Sequence, residues 1–142
     1  MSTTVDQAGG RGLAERLGIK PGMVVQELGW DEDADEDLRD SIAEVSGGDM
    51  VDEDTDEVAD VVLLWWREDD GDLVDALVDA LHPLADSGVI WLLSPKSGRA
   101  GHVPPSDVSE AAPTAGLAQT SSISAAQDWS GARLVTPKGR KR

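Results

Sequence analysis

The run "VVLLWW", Val61 to Trp66, is apolar at every position and has the length of one strand. A strand with one wet face alternates polar and apolar residues. An unbroken run needs cover on both faces, which is the pattern of a strand buried between two helical layers. The segment that follows, "LVDALVDALHPLA", sets Leu73, Leu77, Leu81 and Leu84, with Val74 and Val78, on one broad stripe at helical spacing. Pro83 lies near its end, where proline costs less than in mid-helix. Gly88 then opens a second apolar strand, "VIWLLS", Val89 to Ser94. A strand, a helix and a strand in that order constrain the whole domain toward an α/β sheet.

The flanking segments extend the alternation. Leu13 and Leu17, four apart, suit a short amphipathic helix that Gly18 can end before the Pro21-Gly22 turn. "MVVQELG" reads as a strand. Asp31 to Asp35 reads as a loop able to cap a helix that carries Leu38, Ile42 and Val45 on one face. Its acidic first turn complements the helix dipole. "SGGDMV" predicts a turn and one short strand, and "DEDTDEVAD" a polar connector. "SDVSEAAPTAG" predicts a short helix capped by Ser106 and limited by Pro113. "LAQTSSISAA" and "ARLVT" predict two strands joined through "QDWSG" as a hairpin. The order is β-α-β-β-α-β-α-β-β, an α/β mixed sheet with helices on both faces and an antiparallel C-terminal hairpin.

Composition narrows the chemistry. The 142 residues suit one domain, expected over 12–136, with a disordered N-terminus at 1–11 and a basic disordered tail at 137–142. There is no Cys, and His82 and His102 stand twenty residues apart, so thiol chemistry and a Cys/His zinc site are excluded. No apolar stretch reaches membrane-spanning length, and the N-terminus lacks an apolar signal core; the expectation is a cytoplasmic protein with no membrane partner. The net charge of −16 is concentrated: residues 27–57 hold fifteen of the 28 acids and one base, Arg39. Such a field repels phosphate backbones, and four basic residues in "KGRKR" give little salt-resistant affinity, so nucleic acid is disfavoured as a partner.

The stretches "LGIKPGM", "ADVVLLWWREDDGDLVDAL", "PLADSGVIWLLSPK", "EAAPTAGLAQTSS" and "DWSGARLV" resemble the actinobacterial DUF3052 family of unknown function, over roughly residues 12–136. That label implies no reaction. "IKPGMVVQELG", and "ADVVLLWW" followed by "LHPLADSGVIWLLSPK", are also similar to Rossmann-like methyltransferases. This second resemblance implies a small three-layer Rossmann-like (methyltransferase-like) sheet, abridged relative to that fold.

The methyltransferase resemblance directs attention to the turn after the first strand, where E/D-x-G-x-G-x-G would hold S-adenosylmethionine. Here Glu27 and Gly29 match, but Trp30 and Asp31 stand where glycines would let a backbone approach a ligand. Asp52 is a loose counterpart of the acid that follows the second strand. Asp31, Asp33 and Asp35 have the alternation of a Ca²⁺ loop, but Glu36 and Ile42 occupy its Gly and Glu positions; Asp52, Asp54 and Asp56 fail likewise at Glu57. Neither set is read as a metal site. The loop "SPKSGRAGH" follows a central strand, so Lys96, Ser97, Arg99 and His102 are candidates for an anionic ligand. The blander reading has Lys96 and Arg99 neutralising the acidic first turn. Trp65 and Trp66, adjacent in a strand, are expected to pack under opposite layers. Trp129, in a turn-like segment, is expected to be partly exposed, covering an edge or anchoring a partner. No catalytic triad is present, and His82 fits a helix C-terminus without a catalytic role.

Two functional readings follow. The first is a non-enzymatic domain, without cofactor, whose exposed Asp37, Asp40 and Glu44, with Trp129, meet a protein with a basic surface. The alternative is an enzyme or sensor that binds S-adenosylmethionine or an anionic ligand in the cleft between residues 27–31 and 94–102.

Overall fold

A computed structural model describes residues 11–48, 50–52 and 57–137. The expected disordered segments fall mostly outside this range, although Arg11 already begins the first helix and Pro137 is described. The elements are α1 (Arg11–Arg16), β1 (Val25–Leu28), α2 (Glu36–Ser46), β2 (Ala59–Trp65), α3 (Leu73–Leu81), β3 (Leu84–Pro95), α4 (Pro105–Thr114), β4 (Ala118–Ser124) and β5 (Trp129–Val135). A single 3-10 turn, Glu68–Asp70, separates β2 from α3. The five strands lie in the order β1-β2-β3-β5-β4. β1, β2 and β3 pair in parallel, and β5 runs antiparallel between β3 and β4. The mixed sheet and its closing hairpin are therefore as expected.

Two cores flank the sheet. Val61, Leu63 and Trp65 pack with Leu38, Ile42 and Val45 of α2 and with Trp91 and Leu93. Val62, Leu64 and Trp66 pack on the other side with Leu77 of α3 and with Val108 and Ala112 of α4. Strand alternation thus sends Trp65 and Trp66 into opposite layers, as the run predicts. Leu38 and Ile42 are fully buried, and each such side chain contributes roughly 1.5–3 kcal/mol of apolar transfer. Asp35 caps α2, its carboxylate accepting from the Leu38 amide at 2.8 Å, and Gly47 ends that helix in the left-handed conformation.

Four local expectations are corrected. The short strand expected in "SGGDMV" is a single parallel bridge between Val51 and Gln26. The helix expected through Leu84 stops at Leu81. Pro83 has no amide to continue it, and its carbonyl instead accepts from Ala59 at 2.7 Å, drawing Leu84 into β3. The N-cap of α4 is Pro104, and Ser106 lies inside the helix without capping it. Trp129 is not a turn residue: it begins β5 opposite Pro95 and is 3% exposed. Among the described residues no helix is long and apolar enough to cross a membrane.

Candidate functional site

β1 and β2 deliver their carboxyl ends side by side, with Leu28 opposite Leu64. Open α/β sheets take ligands in the crevice beyond such ends. Glu27, the penultimate residue of β1, shares its face with Val25 and points under α2. Its carboxylate is nearly buried and fully engaged. Arg39, one turn into α2, donates Nε to Oε2 at 2.7 Å and Nη2 to Oε1 at 2.9 Å. Trp65 donates its indole N–H to the same Oε2 at 2.8 Å. Arg39 also holds Glu36 at 2.9 Å and lies 5.6 Å over the ring of Trp30. Chiefly the hydrogen bond to Glu27, against a smaller cost of burial, raises the Arg39 guanidinium above its ordinary value.

A second arginine closes the other half. Arg67 follows the last residues of β2, and its side chain is 12% exposed. Its Nη1 donates to the Gly29 carbonyl at 2.8 Å, and Nε reaches Asp33 at 3.0 Å, with a second bond from Nη2 to the same carboxylate. Asp70 lies at 3.3 Å, and the guanidinium sits 5.3 Å over the ring of Trp129. That ring meets Trp65 edge to face at 4.8 Å. Burial by itself would lower the Arg67 guanidinium; the bonds and charge of Asp33 and Asp70 outweigh it and raise it.

The Arg67 hydrogen bond holds the Asp33 carboxyl below the usual carboxylate range, although partial burial pushes the other way. A depressed folded value stabilises the protein above the unfolded value of about pH 4, and that stability is lost as pH falls through the folded value. Denaturant titrations at successive pH values should therefore show Asp33→Asn losing stability less steeply than wild type below about pH 4. Parallel acid limbs in the two proteins would mean that the Arg67 pair does not persist in solution.

The structure gathers Glu27 and Trp30 around Arg39, while the Gly29 carbonyl is held by Arg67. Trp30 is 48% exposed, at the rim. Lys96, Ser97, Arg99 and His102 do not join that group. Arg67 stands between the two sets, spanning from the Gly29 carbonyl to Gly101, where an added Cβ would lie 3.1 Å from the Arg67 Cβ. Arg99 pairs with Asp128 at 3.4 Å, in the β4–β5 turn, and not with the acidic first turn. The Lys96 amide donates to the Asp128 carbonyl at 2.9 Å. His102 Nδ1 donates to the Pro95 carbonyl at 2.9 Å. Trp129 is buried beneath Arg67, so the partner-anchoring role expected for it has no exposed ring to rest on. Asp37, Asp40 and Glu44 are exposed along α2.

The network's organising residues were not among the sequence candidates. A signal existed for Arg39, the lone base in fifteen acids and four residues past the Asp35 cap. None existed for Arg67, whose partner Asp33 is 34 positions away.

The family model described as protein of unknown function (DUF3052) matches residues 14–138. An uncharacterized protein of Mycobacterium bovis and one of Mycobacterium tuberculosis are each 56% identical over 139 residues, covering 98% of this chain and 87% of theirs. Among solved structures, a SAM-dependent methyltransferase from Aquifex aeolicus superposes with TM-score 0.53 at 12% identity, covering 91% of this chain and 92% of that one. The CcbJ methyltransferase from Streptomyces caelestis gives 0.56 at 10% identity, over 91% and 89%. The ribosomal protein L11 methylase from Lactobacillus delbrueckii gives 0.54 at 15% identity, over 87% and 74%. At these identities the likeness is one of fold.

Proposed function

Because the chain belongs to the DUF3052 family of proteins of unknown function and has the fold of methyltransferases, we propose that it is a non-enzymatic member of that architecture, acting through protein interaction. The observation that supports this most is the engaged Glu27. Both of its oxygens are taken by Arg39 and Trp65, and Arg67 is tied across the neighbouring turn. A cofactor entering between β1 and β2 would have to break charge-assisted bonds within the chain, among the stronger hydrogen bonds a protein makes. Trp30 and Asp31 follow Gly29 where further glycines would be needed for close approach. The outer face of α2 instead offers Asp37, Asp40 and Glu44 to solvent, a surface suited to steering a basic partner.

Calorimetry with S-adenosylmethionine should register no binding in the micromolar range. Micromolar affinity that Glu27→Ala removes would replace this reading with the alternative, a small-molecule enzyme or sensor. The interaction half is tested by the triple variant Asp37→Asn, Asp40→Asn, Glu44→Gln. Exposed charges contribute little to folding, so its melting temperature should stay within about 2 °C of wild type. Its capture of basic proteins from a native lysate should fall, and added salt should weaken wild-type capture in the same way. A triple variant that keeps every captured protein would leave solubility as the only role of this face.

A further inference from the structure

On the other side of the sheet from α2, strand register builds a feature that no local motif announces. Ser94 of β3 lies opposite Ser130 of β5, and Ser130 lies opposite Ser124 of β4. Three hydroxyl-bearing residues thus form a row across adjacent strands, with directly opposed Cβ atoms about 5 Å apart. The row borders a cavity of about 370 Å³, walled by Val103 and Val108, with His102 at its side. Alternation along β3 puts Ser94 on the same face as Leu92, which belongs to the core under α3 and α4.

Three observations point to a ligand. Ser94 is 8% exposed, and its hydroxyl finds no hydrogen-bond partner among the described residues. The cavity reaches this hydroxyl, so water can satisfy it there and a ligand hydroxyl or carbonyl can take the place of that water. The His102 Nδ1 bond to the Pro95 carbonyl fixes the proton on Nδ1, because a carbonyl only accepts. With Nδ1 engaged, Nε2 is the ring nitrogen left to meet a ligand. Finally, none of the described residues lining the cavity is Asp, Glu, Lys or Arg, in a chain of net charge −16. An ionic ligand would lose its hydration without a counter-charge. Hydroxyls, which both give and take, spaced across one apolar-walled cavity match an uncharged ring with polar groups on its rim.

We propose that the cavity over the Ser94–Ser130–Ser124 row binds an uncharged, hydroxyl-bearing ring, a sugar or a nucleoside. Ser94 and Ser130 hydrogen-bond the rim, Val103 and Val108 cover an apolar face, and His102 Nε2 hydrogen-bonds a ligand hydroxyl. The site lies across the sheet from α2 and stands whether or not the acidic face meets a partner.

Amide-resolved NMR titration of the full chain with methyl glucoside and, separately, adenosine tests it, with adenosine monophosphate as the charged comparison. One of the two neutral probes should shift Ser94, His102 and Ser130 saturably, and which one does so identifies the source. Adenosine monophosphate should bind at least about tenfold more weakly than a binding neutral probe. Ser94→Ala and Ser130→Ala should each weaken the neutral probe by about tenfold while the melting temperature holds or rises, since each removes a hydroxyl without leaving a charge. Neither neutral probe shifting these residues, equal binding of the monophosphate, or undiminished affinity in both serine variants would overturn the proposal.

Discussion

Arg39→Ala should destabilise the protein by about 3 kcal/mol, seen as a fall of roughly 10 °C in melting temperature. The size of the loss follows from what remains behind. Glu27 is 9% exposed, so removing its bidentate partner leaves a buried carboxylate with one indole donor. Breaking a buried pair from one side typically costs about 3–5 kcal/mol. The Arg39 side chain is itself 29% exposed, so water can enter behind it, and the lower end of that range is expected. The double variant with Glu27→Gln should recover part of the loss. Its neutral amide oxygen can still accept from Trp65 and needs no counter-charge. A double-mutant cycle by denaturant unfolding measures this coupling. Additive losses, or a single-variant loss under about 1 kcal/mol, would mean that solvent already screens Glu27 and that the pair does not hold the crevice closed.

Gly29→Ala should be at least as damaging, for a backbone reason. Gly29 has φ +77°, and an added Cβ would lie 2.4 Å from the Trp65 carbonyl oxygen. The left-handed conformation alone costs an alanine about 1–2 kcal/mol. The contact cannot be relieved by a rotamer, since the backbone fixes the Cβ and the Trp65 oxygen is main chain. The ends of β1 and β2 must part, which strains the Leu28–Leu64 pairing and the Arg67 bond to the Gly29 carbonyl. A total loss of about 3–5 kcal/mol is expected, within the range reserved for strained or clashing sites. Gly98→Ala is the control. Gly98 has φ +88° and nothing within 4 Å of its Cβ position, so only the conformational cost of about 1–2 kcal/mol applies. Equal losses at the two glycines would show that the strand ends separate freely and that the crevice is soft.

Both variants bear on the functional reading as well as on stability. If the crevice is held shut by Arg39 and Arg67, opening it should not create affinity for S-adenosylmethionine, because the turn after Gly29 still carries Trp30 and Asp31. Destabilised variants that gained such affinity would indicate a latent cofactor site under internal cover, and the interaction reading would fail with it.

The five strands of the sheet and the two layers that cover it were legible in local sequence. An unbroken apolar run from Val61 to Trp66 requires cover on both faces, and adjacent side chains of a strand diverge, so Trp65 and Trp66 had to separate. The spacing of Leu38, Ile42 and Val45 likewise fixed which face of α2 is buried. These are consequences of period and covalent geometry, which are local. Where an element stops was less legible: the helix ends at Leu81, Pro83 lies in the turn after it, and the bond from Ala59 to the Pro83 carbonyl leads Leu84 into β3. The polar, turn-like setting of Trp129 suggested exposure, yet its pairing with Pro95 and its edge-to-face contact with Trp65 bury it. The candidate sites depended on tertiary structure almost entirely. Glu27 and Arg39 meet because α2 returns over β1, and Arg67 reaches Asp33 because β2 lies beside β1. Ser94, Ser130 and Ser124 align only through the register of three strands. A register shifted by one residue would turn those hydroxyls to opposite faces, and it is set by the sum of packing across the sheet, which no short stretch of sequence contains.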